Sequence, residues 1–209
     1  MKLFFSPGAC SFSPHAILNE LGIPFQLVRV DMKTKKTADG EDFLKINPSG
    51  YVPALQLDSG EVLTEGVAMT QYLADLKPES KLAPKLGSME RYHLMEMLNF
   101  ITSEIHKGFS PLFGADTIVP NKEGNAQLRE FTLKKLATRV GHLADVLANK
   151  PYLMGEQVTI ADFYAMTCLR WSKSVGFDLT PWPAITSFMA RMQERPSVLT
   201  AIKAEGLKG

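Results

Sequence analysis

A few residues in this chain combine type and spacing in ways that chemistry can use. Cys10 follows a short apolar run and a Pro7-Gly8 turn and precedes a helical stretch. A thiol at a helix start faces unpaired backbone N–H groups and the positive end of the helix dipole, both of which favour a thiolate. Cys10-Ser11-Phe12-Ser13 reads C-x-x-S rather than C-x-x-C, so a single thiol there cannot close an internal disulfide. It can hold a mixed disulfide with a small thiol, hydrogen-bond a bound thiolate, or pack as a small hydrophobe. The second cysteine, Cys168, lies mid-helix between Thr167 and Leu169, where packing accounts for it.

Val52-Pro53 puts a proline into a β-like run. That calls for an edge strand, a strand end, or a cis bond turning the Val52 backbone toward a peptide ligand. Thr64-Glu65-Gly66 opens a helix. Free N–H groups at a helix start take carboxylates, and Glu65 has the charge for a ligand ammonium. Acidic residues also favour first turns with no ligand involved. Asn99, Ser103 and His106 stand at i, i+4 and i+7, with Lys107 beside them. A wet cleft, a subunit interface and an ordinary solvated face all produce such a stripe. The four histidines, His15, His93, His106 and His142, have no metal-ligand spacing, and the chain holds no P-loop, G-x-G-x-x-G or G-x-S-x-G.

The elements that must carry these residues differ between the two ends of the chain. Residues 1–80 alternate short apolar runs with turn signals. Residues 3–5, 25–31 and 52–57 read as strands, and Asp58-Ser59-Gly60 turns the last of them into a hairpin with residues 61–63. Residues 11–21 form a helix that ends at Gly22, and Met69, Tyr72, Leu73 and Leu76 trace one helical face. The order β-α-β, short helix, β-β-α describes a small mixed sheet covered by helices. Residues 76–88, with Pro78, Pro84 and Gly87, read as a linker. Beyond them no strand is predicted. Leu94, Leu98, Ile101 and Ile105 trace a helix that stops near Gly108. Leu128, Leu136, Val140, Leu143 and Leu147 trace another. Thr159 and Asp162 form a reciprocal capping pattern that opens a third, with Val158 and Phe163 placed for a hydrophobic staple. Residues 183–194 form a fourth, ended before Pro196.

With 209 residues the chain makes one large domain or two small ones. Its 45% hydrophobic and 22% charged residues exclude long disorder. Lys+Arg 23 against Asp+Glu 22 gives no basic excess for nucleic acid. No apolar run approaches the ~18 residues of a membrane helix, and the first residues are too briefly apolar for a signal peptide. Two cysteines make neither a disulfide scaffold nor a Cys-rich zinc site. The expectation is a reduced, cytoplasmic protein with no metal, membrane or nucleic-acid partner.

Several stretches together resemble the cytosolic glutathione transferases, most closely the bacterial beta class. They are Pro7-Gly8-Ala9-Cys10-Ser11, Asn47-Pro48-Ser49-Gly50-Tyr51-Val52-Pro53-Ala54-Leu55, Leu63-Thr64-Glu65-Gly66-Val67-Ala68-Met69, Glu104-Ile105-His106-Lys107-Gly108-Phe109-Ser110-Pro111-Leu112-Phe113 and Thr159-Ile160-Ala161-Asp162. The resemblance covers nearly the whole chain. It implies a thioredoxin-like glutathione-binding domain over 1–80, an α/β unit. It implies an all-α domain over 88–209 carrying the substrate cleft and dimer contacts, and a homodimer. Glutathione is then a co-substrate rather than a cofactor, and the second substrate is a small hydrophobic electrophile.

On the same resemblance Pro53 is a cis-proline, and Val52 pairs with the cysteinyl part of glutathione. Glu65 and the Gly66 N–H take the γ-glutamyl end, and Lys35 reaches the glycyl end. Cys10 sits by the glutathione sulfur and His106 and Lys107 line the site. Asn99, Ser103 and Glu104 come from the long helix, some of them across the dimer. Thr159 and Asp162 keep a structural role.

Three departures matter. Phe5 stands where relatives commonly have Tyr, Gly66 where the wider superfamily has Ser, and Ser11 brings a hydroxyl next to Cys10. Cys10, Ser11 and His106 therefore compete for the main catalytic role, including a variant in which Cys10 exchanges disulfides as a monothiol glutaredoxin does. Loss of polar groups at positions 5 and 66 favours a non-catalytic glutathione- or ligand-binding protein, or an interaction module, on the same fold, and a glutathione-dependent isomerase or dehalogenase is a third reading.

Overall fold

The computed structural model describes residues 1–208. They form two compact units: Met1–Ala83 together with the C-terminal residues from Gln193 on, and Pro84–Met192.

The first unit is built on a five-stranded sheet of β1 (Lys2–Phe5), β2 (Gln26–Asp31), β3 (Lys36–Thr37), β4 (Ala54–Gln56) and β5 (Val62–Leu63), in the order β3-β2-β1-β4-β5. β1 and β2 run parallel, joined by helix α1 (Phe12–Leu21), and the remaining pairs are antiparallel. This is the thioredoxin-like arrangement. Successive side chains of a strand point to opposite faces. Leu3, Phe4 and Phe5 are nevertheless all buried, because helices cover both faces of the sheet. Phe5 meets His15 of α1, while Phe4 packs on Phe43 of the short helix α2 (Phe43–Ile46), among Val28, Val30, Val52 and Ala54. The expected hairpin forms with Leu55 opposite Leu63. Gly22 closes α1 at φ 60°, a left-handed conformation that glycine adopts without a Cβ clash. Helix α3 (Gly66–Leu76) packs beside α1. The two-residue edge strand β3 is too short to announce itself in the sequence.

The second unit is helical, with no strand among its described residues. Helix α4 (Met89–Phe100) runs into a π turn (Ile101–His106) and on into α5 (Lys107–Phe113). It therefore does not stop near Gly108. That glycine lies inside the helix, where an added Cβ would come within 3.3 Å of Leu136 Cδ1. Its lack of a side chain lets helix α7 (Lys122–Leu147) approach closely. The short α6 (Ala115–Ile118) connects them. Helix α8 (Ile160–Leu169) is buried along its whole length. Its start is held by Asp162, whose carboxylate accepts from the Leu153 N–H at 2.8 Å, the Thr159 N–H at 2.7 Å and the Thr159 hydroxyl at 3.0 Å. Helices α9 (Ser172–Val175) and α10 (Pro183–Gln193) follow. No helix of the described residues is long and apolar enough to cross a membrane.

One correction concerns the boundary. Residues up to the C-terminus were expected in the helical domain, yet helix α11 (Pro196–Glu205) packs on α1 in the first unit. Pro196 is not only the stop of α10. It is the first residue of α11, where its missing N–H costs nothing and its fixed φ suits a helix. Arg195 and Ser197 both bind the carboxylate of Glu20 on α1. The physical anchor at the far end is Glu205, described below.

Candidate active site

In the first unit the site starts with the turn between β1 and α1. Its Gly8 has φ 71°, and the Gly8 N–H donates to Glu205 Oε2 at 2.8 Å. The other oxygen of the same buried carboxylate lies 2.8 Å from His15 Nδ1. Ser6 and Ser11 lock the turn from inside. The Ser11 hydroxyl donates to the Ser6 carbonyl and accepts from the Ser6 N–H, both at 3.2 Å. Ser11 is fully buried, so the hydroxyl considered as a thiolate donor has its proton engaged with backbone. Phe5 is core.

This turn delivers Cys10 half-exposed beside the Val52-Pro53 bond, which is cis. The Cys10 S–H donates to the Val52 carbonyl at 3.1 Å. Asn47 braces the same loop: its amide donates to the Tyr51 carbonyl at 2.7 Å. Lys35, itself at φ 56°, sends its ammonium to the Gly50 carbonyl at 2.9 Å and over the Tyr51 ring at 5.5 Å.

Glu65 precedes α3 with φ 64° and ψ 111°. A residue with a side chain held there stores on the order of 1–3 kcal/mol, and such residues concentrate at ligand sites. Its carboxylate is exposed while its carbonyl accepts from the Met69 N–H at 2.9 Å. Gly66 is the first residue of the helix. Cys10, Lys35, Val52, Pro53, Glu65 and Gly66 thus all sit at loop and helix ends of one unit.

The remaining site residues belong to the second unit. Asn99, Ser103 and Lys107 are exposed along the α4 to α5 helix. Glu104 is engaged by Arg139 of α7, Oε2 to Nε, at 2.5 Å. The helical spacing that set Asn99, Ser103 and His106 on one face does not hold, because the π turn widens the helix between them. His106 is half-buried and turned to the inner helices. Its Nδ1 lies 2.6 Å from the Tyr164 hydroxyl, and its ring packs edge-on against Trp171 at 4.9 Å. Burial, with the charge of Lys107 next to it, pushes the imidazole down to about 4, so it is neutral at pH 7. Trp171 also meets Phe109 and the exposed Phe113. Met89 and Met95 lie exposed on α4. Tyr164 and Trp171 escaped the sequence reading. The one available signal was a phenol inside the otherwise apolar run Phe163-Tyr164-Ala165-Met166.

Residues 8–76 match the model of the glutathione S-transferase N-terminal domain, and residues 100–196 that of the C-terminal domain. Glutathione S-transferase GstA of Escherichia coli O157:H7 is 45% identical over 208 residues, which cover all of both chains. Among solved structures, a ternary complex of BphK, a bacterial glutathione S-transferase, is 50% identical with a TM-score of 0.93, over 99% of this chain and 100% of that one. The bacterial beta class glutathione S-transferase of Sphingomonas chungbukensis is 44% identical, with a TM-score of 0.91 over all of both chains. The chain belongs to the glutathione S-transferase family, on its bacterial beta-class side. Its activity is that of a transferase rather than of a non-catalytic binding protein.

Proposed function

We propose that the chain, as a homodimer in the cytoplasm, joins the thiol of glutathione to small apolar electrophiles, and that Cys10 acts on the glutathione sulfur. The observation that carries this is the Cys10 S–H on the Val52 carbonyl. The Val52 backbone pairs with the cysteinyl part of glutathione as an extended peptide pairs with an open sheet edge. A peptide N–H arriving at the Val52 carbonyl displaces the Cys10 S–H, which then turns to the incoming sulfur.

A free thiol ionises near pH 8.5, so lowering it by about 2 units stabilises the anion by roughly 2.7 kcal/mol and makes it dominant at pH 7. The Cys10 S–H and the backbone N–H groups at the start of α1 contribute to that. The glutathione anion then forms an S–C bond to the electrophilic carbon, and a halide leaves with its bonding pair. Glu65, held in its left-handed conformation, pairs with the γ-glutamyl ammonium, and the Gly66 N–H with the neighbouring carboxylate. The Lys35 ammonium takes the glycyl carboxylate. Ser11 positions the Cys10 turn. From the helical unit, His106 donates a hydrogen bond to the reacting groups. Lys107, Asn99 and Ser103 supply exposed polar contacts, and Glu104 acts through Arg139.

A second reading follows from the same thiol. As a thiolate, Cys10 attacks the sulfur of a glutathione mixed disulfide and releases the other thiol. A second glutathione then attacks the Cys10–glutathione bond, leaving oxidised glutathione and the reduced protein. Cys10→Ala separates the two. Conjugation to a chloronitrobenzene reduced about tenfold, with mixed-disulfide reduction abolished, supports both roles. Conjugation at the wild-type rate removes Cys10 from the transferase reaction.

A further inference from the structure

His106 is held by one nitrogen only. Nδ1 meets the Tyr164 hydroxyl at 2.6 Å, while Nε2 has no hydrogen-bond partner among the described residues. The ring is also fixed in angle, edge-on to Tyr164 at 81° and to Trp171 at 63°. Tyr164 is itself buried. It is 7% exposed, on a helix buried from end to end and capped two residues earlier by the three hydrogen bonds of Asp162. The π turn that ends at His106 brings the imidazole to that hydroxyl, and π turns of this kind recur at functional positions.

The direction of the bond follows from acid strength. A phenol ionises near pH 10, and a neutral imidazole N–H is a far weaker acid. The imidazole nitrogen, with a conjugate acid near 6.5, is in turn a better acceptor than a phenol oxygen. The separation agrees, since N–H···O bonds centre at about 2.9–3.0 Å and bonds from O–H are shorter. A neutral imidazole carries one proton, and with Nδ1 accepting, that proton is on Nε2. We propose that Tyr164 is the positioning residue of His106: its hydroxyl donates to Nδ1 and holds the ring as the Nε2–H tautomer, so that His106 serves the reaction as a hydrogen-bond donor and not as a base. This rests on the place given to His106 under the proposed function. Its low ionisation range, from burial and Lys107, keeps the ring in the neutral form the argument requires.

The first test needs no variant. In wild-type protein with ring-labelled histidine, proton–nitrogen NMR should find the His106 proton on Nε2, and a proton on Nδ1 overturns the proposal. Tyr164→Phe keeps the aromatic packing and removes one hydroxyl. It should lower kcat about tenfold, leave KM for glutathione unchanged, and mix the two tautomers. An unchanged tautomer, or a change in KM alone, overturns it. His106→Gln places an amide N–H where Nε2–H stood and should stay within about tenfold of wild type, whereas loss of a general base would cost about 10²–10⁴-fold. In a His106→Ala background Tyr164→Phe should add no further loss, and an additive loss there shows that Tyr164 acts by packing. If His106→Ala leaves turnover intact, the catalytic place of His106 is refuted. A damaging His106→Ala with the proton on Nδ1 refutes only the role given to Tyr164.

Discussion

Glu205 ties the last helix of the chain to the turn that presents Cys10, and its removal is the most telling perturbation of the fold. Its side chain is fully buried, with His15 at 2% exposure, so water cannot replace it. One oxygen accepts from the Gly8 N–H and the other meets His15 Nδ1, each at 2.8 Å. Glu205→Ala takes an acceptor from the part-buried Gly8 N–H and from the buried His15 ring. Each group left unsatisfied costs about 1–3 kcal/mol, so the two together cost about 2–6 kcal/mol. We expect a loss of about 2–6 kcal/mol, which for a chain of this length lowers Tm by about 4–24 °C. Glu205→Gln keeps a carbonyl oxygen for the Gly8 N–H and a polar partner for His15, and should cost only about 1–2 kcal/mol. Thermal and urea unfolding of the two variants decide it. An alanine variant within 1 kcal/mol of wild type, or a glutamine variant as damaged as the alanine one, refutes the reasoning that this carboxylate is the anchor.

Two further predictions follow from local geometry. Asp162 is raised by burial from 3.8 to about 6, against the three donors that hold it. The folded protein therefore binds more protons than the unfolded chain between pH 4 and 6, so this group's contribution falls as pH rises through that window, by about 3 kcal/mol in all. Asp162→Asn, compared with wild type by urea unfolding at pH 4, 5, 6 and 7, should remove that slope while lowering stability overall; an unchanged slope contradicts the assignment. Gly50 sits at φ 68°, and a Cβ there would come within 3.0 Å of Leu44 Cδ2 and 3.6 Å of Lys35 Cε. Gly50→Ala should cost about 1–3 kcal/mol in thermal unfolding and weaken glutathione binding by calorimetry, through displacement of Lys35; an unaltered affinity would detach Lys35 from the glycyl end.

What the sequence disclosed and what it hid divide along a physical line. Gly22, the Asp58-Ser59-Gly60 turn and the Thr159/Asp162 cap were readable because each acts on neighbours within a few residues, where conformational preference is local. Cys10 and Val52-Pro53 were readable as a thiol and a turn. That they touch, 42 residues apart, is a property of β1 and β4 lying side by side. Glu205 looks in the sequence like any charge near the end of an amphipathic helix. Its partners stand 190 and 197 residues away, and only the packing of α11 on α1 makes it the buried acceptor of the first turn.

His106 shows the same division within one residue. Its type marked it as a candidate, and its i+7 spacing placed it with Asn99 and Ser103 on an open face. The π turn, which no residue between 101 and 106 announces, breaks that spacing and brings the ring to Tyr164 instead. The consequence is chemical. An imidazole on a solvated face is free to take either tautomer and to act as a base near neutral pH. One that is buried and holds a phenol on Nδ1 has a single proton, on the opposite nitrogen, and can only donate it as a hydrogen bond. What this histidine does was therefore decided by a backbone irregularity and a tyrosine 58 residues away, not by its own identity.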